Sequence, residues 1–200
     1  MRQLTVFLLR HGQTTHNQHL LGRTDVPLSA MGWQQMSDAL TKSLHFDQII
    51  TSPLIRCHDF ATQYAKSNAC PLLIEPMLQE LDFGIWDGQT HDALWQQPNA
   101  LLEAFYRDPW QQTPPNGEAV ADFCQRLDNT WQSLLQQSGS SLVICHGGVI
   151  RYFIAKILGM PLPGTRHLTA LDIPHAALIK ISITVDDNDV VWPTIHWSSH

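Results

Sequence analysis

Three short apolar runs that each stop abruptly at a polar cluster constrain this chain more than any other feature. Leu4 to Leu9 is the first, and Arg10-His11-Gly12 follows it directly. Gln48 to Thr51 ends at Ser52-Pro53, and Ser141 to Cys145 ends at His146-Gly147-Gly148. Runs this short, rich in Val, Ile and Phe and bounded by turn-forming residues, read as buried strands. Between them the apolar spacing becomes helical. Trp33, Met36, Ala39, Leu40 and Leu44 follow Ser29, a suitable N-cap. A second helix is expected from Ser52-Pro53, with Ser52 as N-cap and Pro53 in the first turn, through Phe60 and Tyr64. Ala119 to Gln137 and Gly148 to Leu158 read as two more. Leu72 to Glu75 adds a strand, the segment from Leu78 to Gly117 is irregular with two short helices, and Ala177 to Val185 pairs with Val190 to Ile195 around Asp187-Asn188. Strands alternating with helices predict an α/β fold: a three-layer α/β/α sandwich with a mostly parallel central sheet, in one domain over residues 1–200.

Composition narrows the function. A chain of 200 residues with 44% hydrophobic and 15% charged residues has the balance of a globular domain. Its formal net charge of −6 argues against a nucleic-acid or membrane-surface partner, which would favour a basic excess. Any anion site must be a local basic pocket. The four Cys (Cys57, Cys70, Cys124, Cys145) form no CxxC pair, so zinc and dithiol redox chemistry have no support and reduced thiols are expected. The run Leu4–Leu9 is too short for a signal-peptide core or a membrane span, and a cytoplasmic protein is expected. No sequence pattern sets an oligomeric state.

In open α/β sheets, ligands bind beyond the C-terminal ends of strands. That rule selects Arg10-His11-Gly12, Ser52 to Arg56, and His146-Gly147-Gly148. Together these supply two Arg, two His and two helix starts. Arginine holds phosphate oxygens through a forked, permanently charged group. Helix N-termini add N–H donors and a positive dipole end. A neutral imidazole is a nucleophile, and an imidazolium is a donor. Each residue taken alone has an ordinary structural role to offer, and the phosphoryl reading rests on their coincidence. The eleven His contain no HxH or HExxH spacing, so no metal and no cofactor is expected, and His16, His19, His45, His58, His91, His167, His196 and His200 read mostly as surface or structural residues. His175, ahead of the last β-run, is a weaker candidate for the pocket.

The motifs Leu9-Arg10-His11-Gly12-Gln13-Thr14 with Asn17, Ser52-Pro53-Leu54-Ile55-Arg56, Glu80 to Gly88, Pro115-Asn116-Gly117-Glu118 and Cys145-His146-Gly147-Gly148 resemble, in order, those of the histidine phosphatase superfamily, whose fold is phosphoglycerate-mutase-like. The resemblance spans nearly the whole chain. It implies a phosphomonoesterase working through a phosphohistidine on His11, on a small-molecule substrate. Arg10, Arg56 and His146 would clamp the phosphoryl oxygens, Glu80 would be proton donor and then acceptor, and Asn17 and Gly147 would add substrate contacts. Asp82, Asp87 and Glu118 rival Glu80, though Asp82 and Asp87 suit turns and Glu118 suits a cap for the helix at Ala119. The segment Gly22 to Ser29 most resembles the alpha-ribazole-5'-phosphate phosphatase branch of the superfamily, which would put Arg23 at the pocket mouth. The alternatives are another small-molecule phosphatase of this fold, acting on sugar phosphates or fructose 2,6-bisphosphate, and a catalytically silent binding module. Trp95, Phe105, Tyr106 and Trp110 are expected in the core rather than the pocket.

Overall fold

The first apolar run alternates between two faces, as a strand must. β1 (Arg2–Arg10) sends Leu4, Val6 and Leu8 into one buried cluster, and Leu9, with Phe7 at its margin, into a second on the opposite face. In this computed structural model, described over residues 1–40, 43–96, 99–163 and 166–196 without the side chains of Arg166 and His167, the same division continues along the sheet. In β2 (Gln48–Thr51) Ile49 and Ile50 face opposite ways. In β4 (Gly139–Cys145) Val143 and Cys145 oppose Leu142 and Ile144. Two-sided burial is why these strands read as continuous apolar runs. His200 and the side chain of His167 lie outside the described residues.

The remaining strands are β3 (Leu72–Ile74), β5 (Leu178–Val185) and β6 (Val191–His196), and the sheet order is β3-β2-β4-β1-β5-β6. β3, β2, β4 and β1 are parallel, while β5 runs antiparallel to β1 and β6 antiparallel to β5. The sheet is mixed, with its parallel part where the sequence places it. Pro193 sits in β6, an edge strand, where a missing N–H costs no ladder bond on the open side.

The helices α1 (Ala30–Ala39) and α2 (Ile55–Asn68) cover the Leu9 face. The short α3 (His91–Trp95) and α4 (Ala100–Arg107), then α5 (Val120–Leu135) and α6 (Gly147–Ile157), contribute to the other; α7 is Arg166–Ala170. Ser29 caps α1 as expected, accepting from Gly32 N, but the helix ends at Ala39 because Leu40 leaves helical geometry, so Leu44 packs from outside it. Ser52 is not the cap of α2. That helix starts three residues later, and Asp25 Oδ1 accepts from Ile55 N at 2.7 Å. Glu118 does not cap α5, whose N-cap, Ala119, offers no side-chain bond. Among the described residues no helix is long and apolar enough to cross a membrane.

Candidate active site

Strand register brings the three motif-bearing ends together. Arg10 pairs with Cys145 and Thr51 with Ile144, so β2, β4 and β1 end side by side. Beyond those pairs, His11 N donates to Cys145 O and Ser52 N to Ile144 O, both at 3.0 Å. The His11 and His146 rings therefore lie with centroids 5.3 Å apart. Gly12 is required by the same closeness: a Cβ there would stand 2.2 Å from Gly32 O in α1.

His11 is buried, and its Nδ1 lies 2.8 Å from Gly12 O. A carbonyl only accepts, so Nδ1 carries the proton and Nε2 holds the free lone pair. Burial, then the charges of Arg56 and Arg10, hold the His11 pKa well below the usual imidazole range. His146 is pushed the same way by burial, Arg56 and His11. Its tautomer is the opposite one. Arg56 Nε donates to Nδ1 at 3.3 Å, so Nε2 carries the proton and donates to Ser52 Oγ at 2.8 Å. Ser52 thus serves the site rather than a helix start.

Arg56 is fully buried and pinned by Gly22 O at 2.6 Å and Thr24 O at 2.9 Å. With its bond to His146, three of its five N–H groups are engaged and two remain. Arg10 donates through Nη1 to Ile173 O, while its buried Nε has no partner. An unpaired buried donor on a guanidinium is costly unless an anion completes it. The Gly22–Ser29 segment holds this arrangement together: Asp87 accepts from the backbone of Gly22, Arg23 and Thr24, fixing the carbonyls that hold Arg56.

Glu80 is buried, with Oε1 accepting from Leu81 N at 3.1 Å and Oε2 from Gly148 N at 2.9 Å, at the start of α6. A Cβ at Gly148 would stand 2.3 Å from Oε1, which explains the second glycine of His146-Gly147-Gly148. Asp82 is no rival, since its Oδ1 accepts from Gly84 N at 2.8 Å and closes a turn. Glu118 is held by Arg126.

A cavity of about 470 Å³ opens beside Arg10, Glu80, Gly147 and Gly148. Arg23, expected at its mouth, instead turns behind Glu80, donating through Nε to the Glu80 carbonyl at 3.0 Å and through Nη1 to Gln79 Oε1. Asn17 is exposed and not among the cavity-lining residues. Phe105 and Tyr106, expected in the core, line the cavity with Phe83. Phe105 is at the same time buried against Trp86, so one side chain serves core and wall. Trp95 stacks outside on Tyr106, and Trp110 packs against the core. His19, His91 and Arg151 also line the cavity. His175 lies 5.8 Å from the His11 ring, centroid to centroid, and burial and Arg10 lower its pKa to about 4. Only a clue of position, the fifth residue after His146 on a helix that starts at the site, could have singled out Arg151.

The model of the histidine phosphatase superfamily (branch 1) matches residues 6–195. The chain belongs to that superfamily and is a phosphatase by class. It is 32% identical over 171 residues to the adenosylcobalamin/alpha-ribazole phosphatase of Escherichia coli K12, covering 82% of this chain and 84% of that one. It is 30% identical over 171 residues to a protein of Escherichia fergusonii named "Probable phosphoglycerate mutase GpmB", covering 82% and 80%. The alpha-ribazole phosphatase structure from Shigella flexneri superposes with a TM-score of 0.80 at 26% identity, covering 96% of this chain and 95% of that one.

Proposed function

We propose that this phosphatase hydrolyses a small phosphomonoester through a phosphohistidine on His11, and that its substrate is alpha-ribazole 5'-phosphate. The observation that carries the mechanism is the buried neutral His11, with Nε2 unprotonated, beside an Arg10 donor that has no protein partner. In the first step Nε2 attacks phosphorus, the ester P–O bond breaks, and protonated Glu80 gives its proton to the departing alkoxide. In the second, Glu80 takes a proton from water, the water oxygen attacks phosphorus, and the N–P bond breaks to release phosphate. Phosphoryl transfer passes through a loose transition state with charge on the equatorial oxygens, so positive donors and in-line placement carry much of the rate. Arg10 and the two remaining N–H groups of Arg56 are the donors, with the Gly147 backbone at the rim; His146, expected among them, has its one N–H on Ser52 and instead orients Arg56 by accepting from its Nε.

The substrate reading rests on the Gly22–Ser29 segment, on the alpha-ribazole phosphatase relatives, and on the wall of Phe83, Phe105 and Tyr106, which suits a flat base beside a phosphate clamp. The mutase-named relative keeps phosphoglycerates in the test. Release of inorganic phosphate is measured from alpha-ribazole 5'-phosphate, sugar phosphates, phosphoglycerates and phosphopeptides. The kcat/KM for alpha-ribazole 5'-phosphate should exceed the others by at least about tenfold. A higher value on a phosphoglycerate or sugar phosphate moves the substrate to that class, and no turnover of any monoester contradicts the phosphatase reading.

A further inference from the structure

The segment Pro115 to Glu118 stood out in the sequence, yet none of its residues enters the mechanism above. Glu118 accepts from Arg126 Nε at 2.6 Å and from Nη2 at 2.9 Å, and both side chains are largely buried, at 14% and 11% exposure. This ion pair holds the fork of Arg126 against the backbone ahead of Glu80. Nη1 donates to Gln79 O at 2.7 Å, and Nη2 donates to Glu80 O at 3.1 Å. Arg23 Nε reaches the same Glu80 oxygen at 3.0 Å. Two guanidinium groups therefore fill both acceptor positions of one carbonyl. That oxygen and the N–H of Leu81 belong to a single planar peptide. Holding the oxygen aims the N–H on the opposite edge, and that N–H donates to Glu80 Oε1 at 3.1 Å.

We propose that Arg126, oriented by Glu118 and assisted by Arg23, is a positioning residue for the Glu80 carboxylate. It touches no substrate. It locks the peptide that holds one carboxylate oxygen, while Gly148 N at the start of α6 holds the other. Freed from the clamp, the peptide would rotate and the carboxylate would lose one of its two fixed donors. The inference rests on Glu80 having a role in phosphoryl transfer, and it adds the device that aims it.

A double-mutant cycle tests it. Single-turnover formation of phosphohistidine from an alkyl phosphate is timed in the wild type, Arg126→Lys, Glu80→Gln and the double variant. A lysine keeps the charge but cannot bridge Glu118 and two carbonyls at once. Arg126→Lys should slow the step about tenfold, and in the Glu80→Gln background less than about twofold, because the group it positions is already disabled. Losses that multiply in the double variant, or no loss in Arg126→Lys, overturn the proposal. Should Arg126→Lys fail to fold, Glu118→Gln, which keeps Arg126 but frees its fork, enters the same cycle under the same criteria. The single variant Glu80→Gln, compared on alkyl and aryl phosphates, reports separately on whether Glu80 is the acid, so failure of that reading is distinguishable from failure of this one.

Discussion

At the residue scale the site depends on which protons are absent. His11 and His146 are buried next to guanidinium groups, and His175 joins them with a pKa lowered to about 4. Each lowered value means that the unfolded chain binds more protons than the native one between the native pKa and the ordinary value of about 6.5. Their contribution to stability is complete above that ordinary value and is lost as pH falls through the window. Chemical denaturation should show stability declining from pH 7 toward pH 4, with a shallower slope in His175→Asn; an unchanged slope in that variant would remove His175 from the account. Glu80 makes a second prediction. Glu80→Gln keeps the size of the side chain but has no proton to give, and general acid catalysis contributes about 10²–10⁴-fold. Phosphorylation from an alkyl phosphate should fall far more than from 4-nitrophenyl phosphate, whose leaving group needs little help. Equal losses would reduce Glu80 to ordering the pocket. The convergence of Arg10, His11, Arg56 and His146 was legible because Arg10 ends β1, His11 and His146 directly follow β1 and β4, and Arg56 lies in the first turn of the helix that follows β2. His19, His91, Phe105 and Tyr106 were not, because the loop that carries His19 and the short helices α3 and α4 that carry the others do not reveal which part of the molecule they pack against.

At the scale of elements, strands were read more faithfully than helix starts. A strand buried on both faces must be apolar throughout, so its sequence marks its limits. A helix start can be capped from elsewhere in the chain, and local sequence is then misleading. Ser52 has the side chain of a cap and the place of one, yet Asp25, far away in sequence, does the capping and Ser52 holds His146. Glu118 likewise left the start of α5 for Arg126. The start of α6 makes the sharpest prediction at this scale, since Gly148 N binds Glu80 and a Cβ there would collide with the carboxylate. Gly148→Ala should stay folded, as a helical alanine is favourable, yet lose about 10–100-fold in kcat/KM on an alkyl phosphate. Full activity in a folded Gly148→Ala would show that the carboxylate does not need this position.

For the whole molecule, the sheet order is what makes a site out of distant motifs. The sequence shows strands and their polar ends, but not that β4 lies between β1 and β2, because that neighbour relation is set by crossover connections and packing rather than by any local pattern. Once it is set, Arg10, His11, Arg56 and His146 converge from segments up to 136 positions apart in the numbering, His146 against Arg10. The mixed character of the sheet follows from β5 and β6, which join antiparallel beside β1 and bring His175 toward His11. A chain of net charge −6 thereby brings two of its arginines, Arg10 and Arg56, together with His11 and His146 at neighbouring strand ends. The central claim is that His11 carries the phosphoryl group during turnover. Rapid-quench labelling with a labelled phosphomonoester, followed by peptide mapping, tests it most directly: the account predicts an acid-labile, base-stable phosphoryl group on His11 that is absent from His11→Ala, and label that persists in His11→Ala or maps to another residue would contradict it.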